Sequence, residues 1–302
     1  MDLRRILAVA ALLGGTTVPV MAQELEPRVY SASPIDTNFV VGTYTHSTGT
    51  VALDPTLPLS NVRPAVDTAA LSFFHTFPLA GHTATWAVAI PYVAANVTGT
   101  IYGRTQATTR NGFPDARFRF AVNLLGRALT PVEFARRKPA TTLGVGITAI
   151  VPTGTYDPSR LVNAGSNRWS FKPEVGLEIP LSRWFADFAA GVWVFGNNTN
   201  YLGGQTLRQA PLANCQVHAG YNVPAGQWLA VDWGYYAGGA TTAGAGKAIN
   251  PLSNSRYGLT FSQPLGSGIS AKLSWSNWLS GQYGQKFSTI GAALQYRWFN
   301  RL

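Results

Sequence analysis

The residue types able to do chemistry in this chain are few, and the four histidines, His46, His75, His82 and His218, come first. A nucleophilic site needs a hydroxyl or thiol within hydrogen-bond reach of a base that a third group orients. His46 with Ser47, and His218, are the places to look for a lipid-hydrolysing pair. No Gly-x-Ser-x-Gly elbow accompanies them, and no histidine or carboxylate pair has metal-ligand spacing. Accordingly no catalytic residue, metal site or cofactor is assigned. The stretch from Ala237 to Lys247 resembles a phosphate loop only faintly. Thr241 replaces its first glycine and Ala248 stands where Ser or Thr is required, so it reads as an ordinary loop. Cys215 is the single cysteine, which leaves no internal disulfide.

A second group of polar residues follows no motif and shares a pattern instead. Arg117, Arg119, Lys172, Glu174, Glu178, Asp187, His218, Asp232, Arg256, Lys272 and Arg297 all fall on the polar side of stretches that alternate apolar and polar residues. In the segment 116–124, Phe118, Phe120, Val122 and Leu124 oppose Arg117, Arg119 and Asn123. In 143–151, Leu143, Val145, Ile147, Ala149 and Val151 oppose Gly144, Gly146 and Thr148. In the last segment Ile290, Ala292, Leu294, Tyr296 and Trp298 form one face. Period-two alternation over nine to twelve residues is the mark of a tilted membrane-spanning strand.

Composition points the same way. Charged residues are 12% of the chain and aromatics 12%, against about 25% charged in an average soluble domain. Residues 1–22 read as a signal peptide, with Arg4 and Arg5 ahead of an apolar core and Val20-Met21-Ala22 at the cleavage site. The net charge is +10, yet Lys and Arg are scattered, which argues against nucleic acid as a partner.

The whole chain then divides into candidate strands near 36–45, 66–78, 83–93, 115–124, 141–152, 170–179, 184–195, 212–223, 228–237, 255–263, 270–277 and 288–298. Twelve is an even number, as single-chain bacterial barrels require. The first two alternate poorly, and His75 falls on the more apolar face of its strand. Long connections (46–65, 94–114, 153–169, 196–211, 238–254 and 278–287) alternate with short ones. That is the arrangement of a barrel with both termini in the periplasm. The connection 125–140 is an exception, and Thr130 followed by Pro131 predicts a short helix there. In the last ten strands no charge falls on the apolar face, where one would cost about 2–4 kcal/mol at mid-bilayer. Tyr92, Trp184, Tyr221, Trp228, Tyr257, Tyr296 and Trp298 are placed as interfacial girdles. Residues 23–35 precede the first strand and are a candidate plug; 36–302 form the barrel. Cys215 joins the lipid-facing set.

Several stretches resemble a family of outer-membrane proteins described as "putative MetA-pathway of phenol degradation". They are Val151-Pro152-Thr153-Gly154-Thr155-Tyr156-Asp157-Pro158, continuing to Asn167-Arg168-Trp169; Leu129-Thr130-Pro131 with Glu133-Phe134; Tyr235-Tyr236-Ala237-Gly238-Gly239; and Gln295-Tyr296-Arg297-Trp298. The resemblance covers nearly the whole chain after residue 22. It implies a transporter-like barrel connected by name with aromatic compounds.

The expectation is an all-β, closed antiparallel barrel of about twelve strands in the outer membrane of a Gram-negative bacterium. It would be inserted by the barrel-assembly machinery, surrounded by lipid, and act as a passive or facilitated channel for small, aromatic or hydrophobic molecules rather than as an enzyme. The alternatives are a membrane-embedded hydrolase of phospholipase type and a closed structural barrel. The inward charges either select cargo or pair and fill the lumen. The loop carrying Asp157, Arg160, Asn167, Arg168 and Trp169, on the extracellular side, either constricts the pore or is held by its own hydrogen bonds.

Overall fold

The computed structural model describes residues 25–52, 59–160, 162–281 and 283–300; the signal segment lies outside them. In chain order the strands are β1 (Thr37–Ala52), β2 (Leu59–Leu79), β3 (His82–Ile101), β4 (Arg104–Gly112), β5 (Ala116–Asn123), β6 (Thr142–Val151), β7 (Ser170–Leu181) and β8 (Trp184–Phe195). They continue with β9 (Asn198–Tyr201), β10 (Gln205–Gln209), β11 (Leu212–Asn222), β12 (Trp228–Gly238), β13 (Thr241–Ala243), β14 (Leu252–Gly266), β15 (Ile269–Gly281) and β16 (Gly284–Phe299). The helix α1 (Pro131–Arg136) lies between β5 and β6.

Twelve of these strands make the wall, in the ring β1-β2-β3-β5-β6-β7-β8-β11-β12-β14-β15-β16, antiparallel throughout. The ring closes where β16 pairs with β1 from Thr37↔Phe299 to Ala52↔Gly284. Closure leaves no unpaired edge within the wall, which is what a spanning sheet requires in lipid. The outer face carries the apolar halves of the alternation: Ile290, Val231, Leu71 and Leu273 are all more than half exposed. Each of the twelve wall strands overlaps one read from the sequence, including the poorly patterned first two, but β1, β2, β3, β14, β15 and β16 run several residues past the expected bounds, so that most of the expected connection 278–287 is strand.

The two ends of the barrel differ. At one end the hairpins are tight: Ala80-Gly81 and Ser267-Gly268 both take positive φ at their two central residues, which matches the twist of the flanking strands. We call this the turn end. Helix α1 also sits there, and Thr130 caps it. The Thr130 side chain accepts the Glu133 amide, while Glu133 accepts the Thr130 amide at 2.9 Å.

The other end, the loop end, is more structured than the sequence suggests. Segments 46–65 and 94–114 read as loops, yet β1, β2 and β3 extend through much of them and β4 folds back on β3. Residues such as Ser47-Thr48-Gly49-Thr50 are polar on both sides of the strand. The ladder continues beyond the lipid without leaving an apolar stripe in the sequence. Strands β9, β10 and β13 build a separate three-stranded sheet, so the glycine-rich stretch after Ala237 contributes a strand as well as a loop. Its core is Tyr201, Leu202, Leu207 and Ala243.

Trp228 departs from its expected place in an aromatic girdle. It pairs with Ser262 on the inner face and meets Phe185 edge-on, with ring centroids 6.0 Å apart. Composition at a strand end suggested an interfacial ring, but strand parity turns this one inward.

Candidate functional site

The eleven ionisable residues of the polar alternation all project into the barrel, and the structure divides them into two sets. On β7, β8, β11, β12 and β14 the inner face is packed away: Lys172, Glu178, Asp187, His218, Asp232 and Arg256 are each at most 9% exposed, and the Glu174 side chain is 6% exposed. On β15, β16, β1, β2 and β5 the inner face keeps partial solvent access at Lys272, Ser274, Ala293, Thr43, Thr45, Ser72, Arg117 and Arg119. Arg297 is exposed at the turn-end mouth.

The buried set is tied together by pairs, as charges removed from water must be. Glu174 holds Lys172 at 2.6 Å and Arg119 at 3.3 Å. His218 Nδ1 lies 2.7 Å from Asp232 Oδ1, and Thr260 donates to Asp232 Oδ2 at 2.7 Å. Arg256 donates to Ser276 Oγ at 3.0 Å.

What covers this side is the chain before β1. Residues 25–36 run inside the barrel and bond to its wall. The Glu26 amide donates to Gln216 Oε1 at 3.0 Å and the Arg28 amide to Asp187 Oδ2 at 2.8 Å. The Arg28 guanidinium reaches Asn222 Oδ1 at 3.0 Å and Glu178 Oε1 at 3.4 Å, and lies 4.5 Å from the Phe185 ring centroid. Tyr30 Oη donates to Glu174 Oε1 at 3.2 Å, and Thr142 Oγ1 donates to the Tyr30 carbonyl at 2.8 Å. Gly144 and Gly176 make room for the Tyr30 ring; a Cβ on either would overlap it. The gap left between segment and wall, lined by Glu26, Arg28, Tyr30, Asp187 and His218, is about 10 Å³, at most the space of one water molecule.

Glu26, Arg28 and Tyr30 were not singled out from the sequence as site residues. The signal that could have found them was the run of inward glycines on β6 and β7, which leaves a trough needing a large side chain from elsewhere.

The loop 152–169 is organised from within and also reaches inward. Asp157 binds Arg160 at 2.8 Å, and the Asp157 amide donates to Asn163 Oδ1 at 2.8 Å. Asp115 accepts the amides of Gly154 and Ser166, each at 2.8 Å. Asn167 takes a positive φ and donates to Asn198 Oδ1 at 2.9 Å. Ala164 packs on the inner-face cluster Val66, Val93 and Ala95. Trp169 is exposed and stacks on Phe171.

Arg168 lies buried, 4.9 Å over the Phe195 ring, and bonds to Gln209, while its Nε and Nη1 have no acceptor. Burial lowers its guanidinium to about 10, so it stays charged at neutral pH. A buried charge with unmatched donors gives little net stability. Arg168→Met should therefore leave thermal stability unchanged or slightly raised, by about 0–2 kcal/mol; a loss above that range, measured in detergent, would show the charge to be needed.

The candidate hydrolase pair does not assemble. His46 and Ser47 alternate to opposite faces: His46 points outward to Asp67 at 2.8 Å, and Ser47 points inward to Thr289 at 2.9 Å. His218 is enclosed by Asp232 and Gln216. His75 is on the outer face, bonded to Asn38 at 2.9 Å. Cys215 is a free thiol on the outer set of β11.

A closed twelve-stranded antiparallel barrel with an apolar exterior and a polar interior defines the class: this is an outer-membrane β-barrel of the Gram-negative type. The chain belongs to the family described as "Putative MetA-pathway of phenol degradation", whose profile matches residues 37–294. Its fold is similar to that of the COG4313 outer membrane channel from Pseudomonas putida F1, with a TM-score of 0.78 at 18% identity over 91% of this chain and 100% of that one. The transport unit of the autotransporter AIDA-I from Escherichia coli is more distant, with a TM-score of 0.54 at 8% identity, over 98% of this chain and 97% of that one. The beta domain of the Bordetella autotransporter BrkA gives 0.51 at 13% identity, over 87% of this chain and 100% of that one. A search of curated protein sequences gives no match.

Proposed function

We propose that the protein is a passive channel of the outer membrane whose path runs along one side of the lumen, beside β15, β16, β1 and β2. The observation that carries this is the one-sided burial of the inner face. Segment 25–36 occupies the side of β6 to β14 and acts as a fixed plug, while Thr43, Thr45, Ser72, Ser274 and Ala293 opposite it keep solvent access. The turn end is periplasmic and holds the start of β1 and the end of β16; the loop end faces outward, and loop 152–169 sets the constriction.

The lining suits small solutes. Its short hydroxyl and methyl side chains offer both hydrogen bonds and apolar contact, as a phenol-like molecule requires, in keeping with the family's description. Its basic groups are Arg117, Arg119, Lys272 and Arg297, with Glu26 3.9 Å from Arg117 and Glu174 3.3 Å from Arg119. The path should therefore favour anions modestly, because a low-dielectric wall focuses their field.

Cysteine accessibility tests the path. In a Cys215→Ser background, Thr43→Cys and Ser274→Cys should react with a charged thiol reagent and reduce the current through planar bilayers. Gln216→Cys and Thr260→Cys should be protected. Absence of current from the unmodified protein would replace the channel with a closed structural barrel. Equal labelling of both pairs would remove the one-sided path. Lys272→Gln should lower anion preference in reversal potentials under a salt gradient, and no change would take Lys272 out of the path.

A further inference from the structure

The outer wall at the loop end holds a polar cluster that neither barrel closure nor permeation uses. Among the described residues of the twelve wall strands, Asp67 is the one carboxylate on the outer face. It accepts from Tyr44 Oη at 2.6 Å and lies 2.8 Å from His46 Nδ1, with the His46 and Asp67 side chains 47% and 42% exposed. Asp67 stands twelve residues above the Leu79 end of β2. With usual rise and tilt that is about 30 Å along the barrel axis, at or just beyond an apolar band about 25 Å tall. The cluster thus sits at headgroup depth.

Directly below it the wall is hollowed. Gly42, Ala69 and Ala292 form the floor of a groove of about 710 Å³, rimmed by Tyr44, Tyr92, Phe113, Leu71, Ile90 and Leu294. At about 30 Å³ for a group of water size, that is room for the upper part of one or more acyl chains. Above the cluster, Thr48 and Asn96 continue the exposed polar surface, and Arg63 projects outward four residues beyond Asp67, about 13 Å along the strand.

We infer that this face binds one molecule of a phosphorylated, acylated saccharide lipid of the lipid A type. The apolar groove takes acyl chain. A carboxylate beside aromatic rings can accept sugar hydroxyl or amide hydrogens, and Asp67 stands two residues above Ala69, which Tyr44 and Tyr92 flank. The phosphate meets Arg63, four residues farther along the strand, and so lies away from the carboxylate. The inference rests on the proposed orientation, in which the loop end lies in the saccharide-lipid leaflet.

Native mass spectrometry of the full barrel in mixed micelles with lipid A, or separately with phosphatidylethanolamine, tests it. The unmodified protein should retain one lipid A per barrel in preference to phosphatidylethanolamine. Ala69→Trp, which fills the groove floor, and the pair Asp67→Asn with Arg63→Gln should each lower that occupancy about tenfold. All variants should keep the faster unheated gel mobility of a closed barrel, so that loss of fold is distinguished from loss of site. Equal occupancy in wild type and variants, or preference for phosphatidylethanolamine, overturns the site. Thiol labelling of a loop-end cysteine on intact cells checks the orientation separately.

Discussion

Replacing Arg28 with glutamate should free the N-terminal segment from the lumen while leaving the barrel closed. Glu178 and Asp187 face each other in register across β7 and β8, and Arg28 binds the first through its guanidinium and the second through its amide. Removing one partner of a largely buried pair costs about 3–5 kcal/mol because the other charge is left uncompensated. A new carboxylate at the same spot adds repulsion. The docking equilibrium should shift by about a hundredfold or more, at 1.4 kcal/mol per tenfold. Hydrogen exchange of the amides of residues 25–34 should accelerate by at least that factor, and conductance through bilayers should rise. Arg28→Lys keeps the charge but loses the planar fork, and should fall between. Unchanged exchange in Arg28→Glu would mean that Tyr30 in its glycine trough holds the segment alone.

The second large effect separates assembly from docking at two adjacent positions of β6. Val145 is 40% exposed on the outer face and pairs with Val122 and Val175. Val145→Arg should cost about 2–4 kcal/mol at mid-bilayer and reduce the heat-modifiable, folded fraction severalfold. Gly146 lies on the inner face, where a Cβ would be 2.9 Å from Tyr30 Oη. Gly146→Arg should therefore assemble nearly normally and instead expel Tyr30, reproducing the exchange and conductance changes of Arg28→Glu. If both variants fail to assemble alike, the two faces of β6 are not distinguished by lipid.

The wall was legible because lipid imposes a simple rule on one side of every strand. A side chain such as Val145, Leu294 or Ile147 meets hydrocarbon or it does not, and period-two alternation records the answer over each strand's span. Beyond the lipid the rule lapses. The upper parts of β1, β2 and β3 and the small sheet of β9, β10 and β13 are held by backbone ladders and by small clusters, Val66 with Val93 and Ala95, and Tyr201 with Leu202, Leu207 and Ala243, whose partners no local alternation reveals. Trp228 shows the same limit. Its type and its place at a strand end suit a girdle equally well, and one step of parity decided that it faces Arg28 and Phe185 instead.

The site depended on contacts between distant residues, so far less of it could be read in advance. Alternation alone turned Arg117, Glu174, Asp187, His218 and Lys272 inward. It could not tell which would be buried and which would keep water. That division is made by residues 25–36, which have no periodicity and bond to partners such as Gln216, 190 residues away from Glu26. Likewise His46 and Asp67 are 21 residues apart and meet only because β1 and β2 pair in this register. The sequence by itself determined the twelve wall strands where they cross lipid, the apolar face of each and the closed antiparallel class, since each follows from local chemistry against lipid. The tertiary structure alone decided which half of the lumen is filled, because that rests on charges and glycines brought opposite one another by ring closure.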